Sequence, residues 1–123
     1  MRLSIVICFR YEKFYGDFTF DPGKFPDAAA MVKQLHDLGF RVTTWVTPFI
    51  NPTSPNHRAG SDKGYFILNE KTGESGLTVW WDGIGSMVDF TNPEACNWYG
   101  NKIRFDCAIM CLEEAFQSCC SFD

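Results

Sequence analysis

Trp81, Asp82 and Gly83 form the stretch of this sequence with the clearest potential for ligand chemistry. An indole ring offers a flat apolar face to a ligand, and a loop punctuated by glycine presents such a ring to a pocket. The Asp82 carboxylate can accept hydrogen bonds from ligand hydroxyls. Two structural alternatives stay open: Trp81 packs a hairpin against a core, and Asp82 before Gly83 forms an ordinary turn. Trp80 is the stronger candidate for core packing.

Four further residues are site candidates, and each has an ordinary structural alternative. Asp89 either orients the floor of a binding site or caps the helix that begins near Asn92. Ile50 ends a buried strand, and it either lines a pocket or belongs to the core. Asp17 and Asp21 stand four residues apart, which invites interpretation as an acid–base pair. The Pro-Gly sequence that follows them favours a turn instead.

The histidines and cysteines do not form a recognisable centre. His36 is placed in the middle of a predicted helix and His57 in a polar loop, and neither has a Ser or Cys partner in a triad setting. Cys107 and Cys111 share one face if their segment is helical, but no C-x-x-C occurs and no histidine is near, so a zinc site is not predicted. The cysteines are Cys8, Cys96, Cys107, Cys111, Cys119 and Cys120. Ordinary thiols are expected, and no metal or cofactor is predicted.

The length and composition of the chain are typical of one globular domain. Its 123 residues are 46% hydrophobic and 16% aromatic, which suffices for a packed core. A net charge of -4 without any Lys/Arg run excludes nucleic acid and anionic membranes as natural partners. The apolar run Leu3–Phe9 is far shorter than the ~20 residues of a membrane-spanning helix. We interpret this run as a strand or as sequence foreign to the fold, and a cleaved signal peptide is the remaining alternative.

The candidate residues are positioned by an α/β arrangement. Apolar residues Ala28, Met31, Leu35 and Leu38 are spaced for the buried face of a helix, with Pro26 in an early helical position and Gly39 at its end. The following run FRVTTWVTPFI, residues 40–50, is typical of a buried strand that stops near Pro48. A helix followed by a hydrophobic strand is half of a βαβ unit.

A long connection follows this strand. Residues 51–64 read as loop, and a hairpin is predicted between residues 65–69 and 77–81, after which Gly83 and Gly85 interrupt the chain. A short strand over 87–90 then leads to a helix capped by Asn92. Connections of more than ~15 residues are usually functional, and such loops carry the active sites of (β/α)8 barrels.

The phrases DFTF at 17–20 and DFTNP at 89–93 are junctions rather than a repeat, since their flanks do not align. The central region contains two stretches, GDFTFDPGKFPDAAAMVKQLHDLGFRVTTWVTPFINP and GYFILNEKTGESGLTVWWDGIGSMVDFTNPEACNWY. These two stretches carry a resemblance of this region to glycoside hydrolase family 31. The VWWDG wording at 79–83 is most similar to the branch of myogenesis-regulating glycosidases.

The resemblance implies an α/β fold, a fragment of a (β/α)8 TIM barrel with a long hairpin-containing βα loop. It implies hydrolysis of O-glycosyl bonds, in this branch of α-galactosides, and a small carbohydrate or glycan as partner. Substrate-binding roles are implied for Trp81, Asp82, Ile50 and Asp89. No cofactor is needed, because carboxyl groups perform such cleavage. The family branch implies a membrane-anchored protein of the endoplasmic reticulum or secretory lumen.

The two ends depart from the family pattern. Residues 1–14 are predicted to be a divergent segment, 15–104 a partial barrel, and 105–123 a divergent Cys-rich tail. No residue matches the family's nucleophile or acid/base, so we expect this chain to be inactive. We also expect residues 15–104 in isolation to be aggregation-prone or partly molten, because an open parallel sheet leaves edges unpaired. The alternative is a non-catalytic sugar-binding or interaction module stapled by disulfides. No oligomeric state is predicted.

Overall fold

The computed structural model describes residues 3–7 and 10–110, with backbone alone over 105–110. Its elements, in chain order, are β1 (Ser4–Ile7), α1 (Ala28–Asp37), β2 (Arg41–Thr44), β3 (Phe49–Ile50), α2 (Pro55–Asp62), β4 (Thr78–Trp80), β5 (Gly83–Met87) and α3 (Pro93–Met110). Within these residues, no helix has the length and apolar character needed to cross a membrane.

β1 and β2 form a parallel two-stranded sheet, and α1 is the crossover between them. The register runs from Ser4 opposite Arg41 to Ile7 opposite Thr44. Val32 of α1 is fully buried and belongs to a core cluster with Tyr11, Phe20 and Val42. The predicted helix-then-parallel-strand step is therefore present, and Ser4–Ile7 of the N-terminal apolar run form a strand, one of the interpretations of this run.

Local signals define the ends of α1. The Asp27 carboxylate accepts a hydrogen bond from the Ala30 N–H at 2.8 Å, so Asp27 is the N-cap and Pro26 precedes the helix rather than entering it. Gly39 has φ +86° and donates to the His36 carbonyl, while the Phe40 N–H donates to the Leu35 carbonyl. This pair of bonds is a Schellman motif. The prediction that Gly39 ends the helix is confirmed.

The buried face of α1 differs from the prediction at one end. Leu38 is 73% exposed, because it is the C-cap that follows the last helical residue. Val32 is buried instead, one turn after Ala28. The helix therefore packs on the sheet through Ala28, Met31, Val32 and Leu35.

The run 40–50, predicted to be one strand that stops near Pro48, contains two strands in two sheets. β2 ends at Thr44, and Phe49–Ile50 joins an antiparallel sheet of order β3-β5-β4. Pro48 lacks an N–H and cannot continue a ladder on both sides. The loop assigned to 51–64 was also wrong, because it contains α2. Ser54 caps this helix through the Asn56 N–H and Pro55 is at its first position.

The predicted hairpin pairs different segments. β4 pairs with β5 from Thr78 opposite Gly85 to Trp80 opposite Gly83, so Trp81 and Asp82 form the turn. Residues 65–69 contribute only isolated bridges, Phe66 to Val88 and Leu68 to Ser75. The glycines interpreted as interruptions belong to β5. A Cβ on Gly85 would lie 3.1 Å from the Phe49 Cβ, so glycine permits β3 and β5 to approach closely.

α3 closes a second core. Its cap is Asn92, whose side chain accepts from the Glu94 N–H at 2.9 Å, as predicted. Ile50, Phe66 and Val88 are buried here with Tyr99 of α3, whose hydroxyl donates to the Thr47 carbonyl at 2.9 Å. Burial, with a smaller contribution from the Glu12 charge, raises the pKa of Tyr99 to about 12. The tyrosine therefore stays a neutral donor that ties α3 to the segment between β2 and β3.

Candidate functional site

Aromatic side chains converge beyond the carboxyl ends of β1 and β2. We call Tyr15, Trp45, Trp80 and Trp81 the aromatic cluster. Trp45 directly follows β2, Tyr15 stands on the connection after β1, and the tryptophan pair comes from the end of β4 and its turn. Because parallel strands end at a common edge, this is the edge at which α/β proteins bind ligands.

Trp81 is the exposed ring of the aromatic cluster. Its centroid lies 5.3 Å from that of Trp80, 5.8 Å from Trp45 and 6.1 Å from Tyr15, all at steep interplanar angles. The residue is nevertheless 62% exposed. The edge contacts with the three other rings hold the indole in place, and its remaining surface is exposed to solvent.

Trp80 supports this platform from below. It is half-buried, and its ring stacks on Phe49 at 5.1 Å and lies nearly parallel to Trp45 at 6.4 Å. Its buried indole N–H has no hydrogen-bond partner among the described residues. The two adjacent tryptophans are thus divided between packing and exposure.

Asp82 lies at the rim of the aromatic cluster beside two polar groups from the other end of the chain. Its Oδ1 is 3.2 Å from Nη2 of Arg10, and the Arg10 backbone N–H donates to the Tyr15 hydroxyl at 3.2 Å. Burial raises the pKa of Tyr15, the Arg10 N–H opposes this rise, and the Asp82 charge adds to it. Tyr15 therefore stays protonated at neutral pH.

The other two predicted binding residues lie elsewhere. Ile50 is fully buried in the core, which corresponds to its alternative interpretation. The Asp89 carboxylate accepts from the Thr91 hydroxyl at 2.6 Å and from the Thr91 N–H at 2.9 Å, and these bonds lower the pKa of Asp89. The structure therefore brings together Trp81 and Asp82 but not Ile50 and Asp89, and all four binding roles stay predictions.

Three residues of the site were missed from the sequence. Trp45 carried a usable signal, since it directly follows a strand of a βαβ unit. Arg10 and Tyr15 carried none. Arg10, for example, meets Asp82 across 72 positions of the chain. Arg10 also stands in the segment 1–14 that was predicted to diverge.

Other candidate groups are engaged in structural contacts. Asp21 accepts from the Gly23 N–H at 2.9 Å, which is the predicted turn. His57 has a serine neighbour outside any triad setting: its Nε2 lies 2.9 Å from the Ser86 hydroxyl. Ser86 is fully buried and cannot reach a substrate, so the pair joins α2 to β5. The part of the chain that the structure describes contains no group of three or more His, Cys, Asp or Glu suited to a metal.

The cysteine predictions are tested only at Cys96. It is a half-buried free thiol whose Sγ donates to the Phe90 carbonyl at 3.2 Å. Cys107 belongs to α3, but its side chain is not described, and Cys111, Cys119 and Cys120 lie outside the described residues. The disulfide alternative stays a prediction.

Comparison with known proteins assigns the family. The model of the glycosyl hydrolases family 31 TIM-barrel domain matches residues 4–117. A myogenesis-regulating glycosidase of Mus musculus is 47% identical over 95 residues, which is 76% of this chain and 13% of the relative. This chain belongs to glycosyl hydrolase family 31. An α-xylosidase of Emericella nidulans is 35% identical over 79% of this family 31 chain and 12% of its own length.

Solved family 31 structures share the fold. A Flavobacterium johnsoniae dextranase complexed with isomaltotriose superimposes with a TM-score of 0.82 and 25% identity over 87% of this chain and 13% of that chain. An α-xylosidase from a soil metagenome complexed with xylose gives 0.76 at 24% identity over 85% and 15%. The predicted fold, a fragment of a (β/α)8 barrel, is confirmed. The predicted limits at residues 14 and 104 stay predictions.

Proposed function

We propose that this family 31 chain supplies a sugar-binding wall to a glycosidase that hydrolyses O-glycosyl bonds. The observation that carries the proposal is the position of Trp81, an exposed indole held by three other rings beside the Asp82–Arg10 pair. The chain spans 13% and 12% of the length of the two relatives described above.

Each group of the wall has a defined task. The Trp81 ring packs against the C–H face of a pyranose. The Asp82 carboxylate accepts from a sugar hydroxyl, while Arg10 donates to a neighbouring one. Because Asp82 and Arg10 neutralise each other, the wall suits a neutral sugar. We take the substrate class to be α-glycosides, and the VWWDG motif at 79–83 directs the finer proposal to α-galactosides.

Removing the indole tests the wall. We expect Trp81→Ala to weaken binding of methyl α-galactoside to the 123-residue chain about tenfold, since a stacked ring contributes ~0.5–1.5 kcal/mol beyond its buried area. Ligand-observed NMR titration measures this affinity. Val79→Ala is the matched control, because Val79 is 79% exposed on the same hairpin and stands outside the aromatic cluster. Equal affinity in wild type and Trp81→Ala would contradict the proposal.

Cleavage requires two carboxyl groups about 5–9 Å apart across the scissile bond. No residue of this chain matches the family's nucleophile or acid/base, and among the described aspartates Asp21 and Asp89 are bonded in turns and Asp82 pairs with Arg10. We therefore expect the 123-residue chain alone to release no chromophore from nitrophenyl α-galactoside or α-glucoside. Turnover that survives repurification would refute this expectation, and turnover that Asp82→Asn abolishes would also refute the non-catalytic role of the wall.

A further inference from the structure

A groove separate from the aromatic cluster lies between the start of α2, α3 and the connection after β1. Its volume is about 560 Å3, within the range of small-molecule sites. Its lining includes Asp17, Thr19, Asn56, Trp98, Asn101 and Lys102. None of these residues belongs to the aromatic cluster or to the Asp82–Arg10 pair. The groove is therefore a distinct place for a ligand.

Asp17 provides an unused acceptor in this groove. Its Oδ2 accepts from the Phe14 N–H at 3.2 Å, but its Oδ1 is buried without a hydrogen-bond partner among the described residues. The backbone around it is fixed, because the Asn56 amide donates to the Gly16 carbonyl at 2.7 Å and to the Asp17 carbonyl at 3.2 Å. The accessible oxygen is Oδ2, which keeps acceptor capacity beside its bond from Phe14, and a ligand hydroxyl that donates to it stabilises a carboxylate that is short of donors.

α3 provides donors and an apolar surface. Lys102 has no ion pair or hydrogen bond within the described part of the chain. Asn101 uses its Oδ1 to accept from Arg104 at 3.1 Å, which leaves its amide N–H groups. The half-buried Trp98 ring is anchored by Tyr65 at 5.6 Å and Phe66 at 6.2 Å between centroids. A ligand here meets an indole, a carboxylate and an ammonium together.

The geometry points to a second saccharide site, which binds one neutral pyranose unit of a glycan away from the aromatic cluster. The charges of the Asp17 carboxylate and the Lys102 ammonium cancel, so neither an anionic nor a cationic ligand is favoured over a neutral sugar ring. Hydroxyl groups both donate and accept, which matches Asp17 on one side and Lys102 with Asn101 on the other. Trp98 offers the apolar contact that the C–H face of a sugar requires.

The test uses the 123-residue chain carrying Trp81→Ala, so that the proposed wall does not contribute. We titrate it with isomaltotriose and follow the indole N–H of Trp98 and the side-chain amides of Asn56 and Asn101 by nitrogen–proton NMR. We expect these signals to shift, and Asp17→Asn or Lys102→Ala to weaken binding about tenfold, since each removes a charge-assisted hydrogen bond. Lys71→Ala, an exposed lysine in a turn outside the groove, is expected to change nothing. Circular dichroism melts confirm that each variant folds.

Glucosamine and glucuronate test the charge argument, because they carry an amine or an acid on the same ring. Tighter binding of either one than of glucose overturns the neutral-sugar assignment. Shifts that are absent in the Trp81→Ala chain, or that persist unchanged in both groove variants, also overturn it. Binding that disappears with Trp81→Ala alone supports the proposed wall and refutes the groove. Binding that depends only on Asp17 and Lys102 supports the groove and refutes the wall.

Discussion

At the scale of single residues, neighbours of the same type are separated by what they contact. Trp80 and Trp81 are adjacent, but Trp80 stacks on Phe49 whereas Trp81 is 62% exposed. The contacts of His57 also set its environment. It is half-buried against the Phe66 ring, with 5.2 Å between centroids, and its Nε2 reaches Ser86 of β5. The environment of His57 gives it a thermodynamic role, because burial penalises a charged imidazole.

We predict that His57 makes folding stability fall in mild acid. Burial lowers the pKa of His57 below its ordinary value of 6.5, so the unfolded chain binds the proton more readily. The contribution is fully present above pH ~6.5 and is lost as pH falls through the lowered folded pKa. Urea unfolding midpoints between pH ~7 and ~5 measure the slope, which we expect to be smaller in His57→Gln. His36→Gln is the control, and parallel slopes in wild type and His57→Gln would contradict the prediction.

At the scale of elements, ends and turns are set by a few local contacts. The Schellman motif after α1 requires Gly39 at φ +86°, while Gly100 stands inside α3. Among the described residues, and apart from chain neighbours and the helix's own backbone, no atom lies within 4 Å of a Cβ added at either position. Backbone conformation alone therefore separates the two glycines.

We predict effects of opposite sign for the same added methyl group. Gly39→Ala should destabilise the fold by about 1 kcal/mol, because an L-residue at positive φ is strained. Gly100→Ala should stabilise it by ~0.5–1 kcal/mol through helix propensity. Thermal and urea unfolding of the two variants measure the difference. Two changes of the same sign would mean that something other than backbone conformation dominates.

At the scale of the whole molecule, the parallel sheet is open. β1 and β2 pair only with each other among the described residues, so each presents an outer edge. Leu3 and Val6 of this region are 58% and 56% exposed. The sheet of a complete barrel has eight parallel strands and closes on itself, and two strands cannot do so. Open apolar edges template association with other chains.

We predict that the 123-residue chain self-associates as its concentration rises. A lysine on an edge strand opposes such pairing, so Val6→Lys should increase the monomer fraction in sedimentation velocity. Leu38→Lys is the matched control, because Leu38 is 73% exposed at the end of α1, away from the sheet edge. A wild-type chain that stays monomeric and melts in one cooperative transition would refute the prediction.

Features that are encoded by neighbouring residues could be predicted without the structure. The α1 helix, its end at Gly39, the Asn92 cap and the helix-to-parallel-strand step were all predicted correctly, because their signals lie within a few positions of each other. The start of α2 was equally local at Ser54–Pro55, but its Asn, Gly, Ser and Asp content concealed a helix.

Contacts between distant segments, by contrast, were not predictable before the chain was seen folded. The tertiary structure divided residues 40–50 between two sheets and paired β4 with β5 instead of with residues 65–69. It also brought Arg10 to Asp82 across 72 positions, and placed Ile50 in the core. Strand pairing and side-chain exposure depend on partners distant in the chain, for which a single sequence carries no local signal.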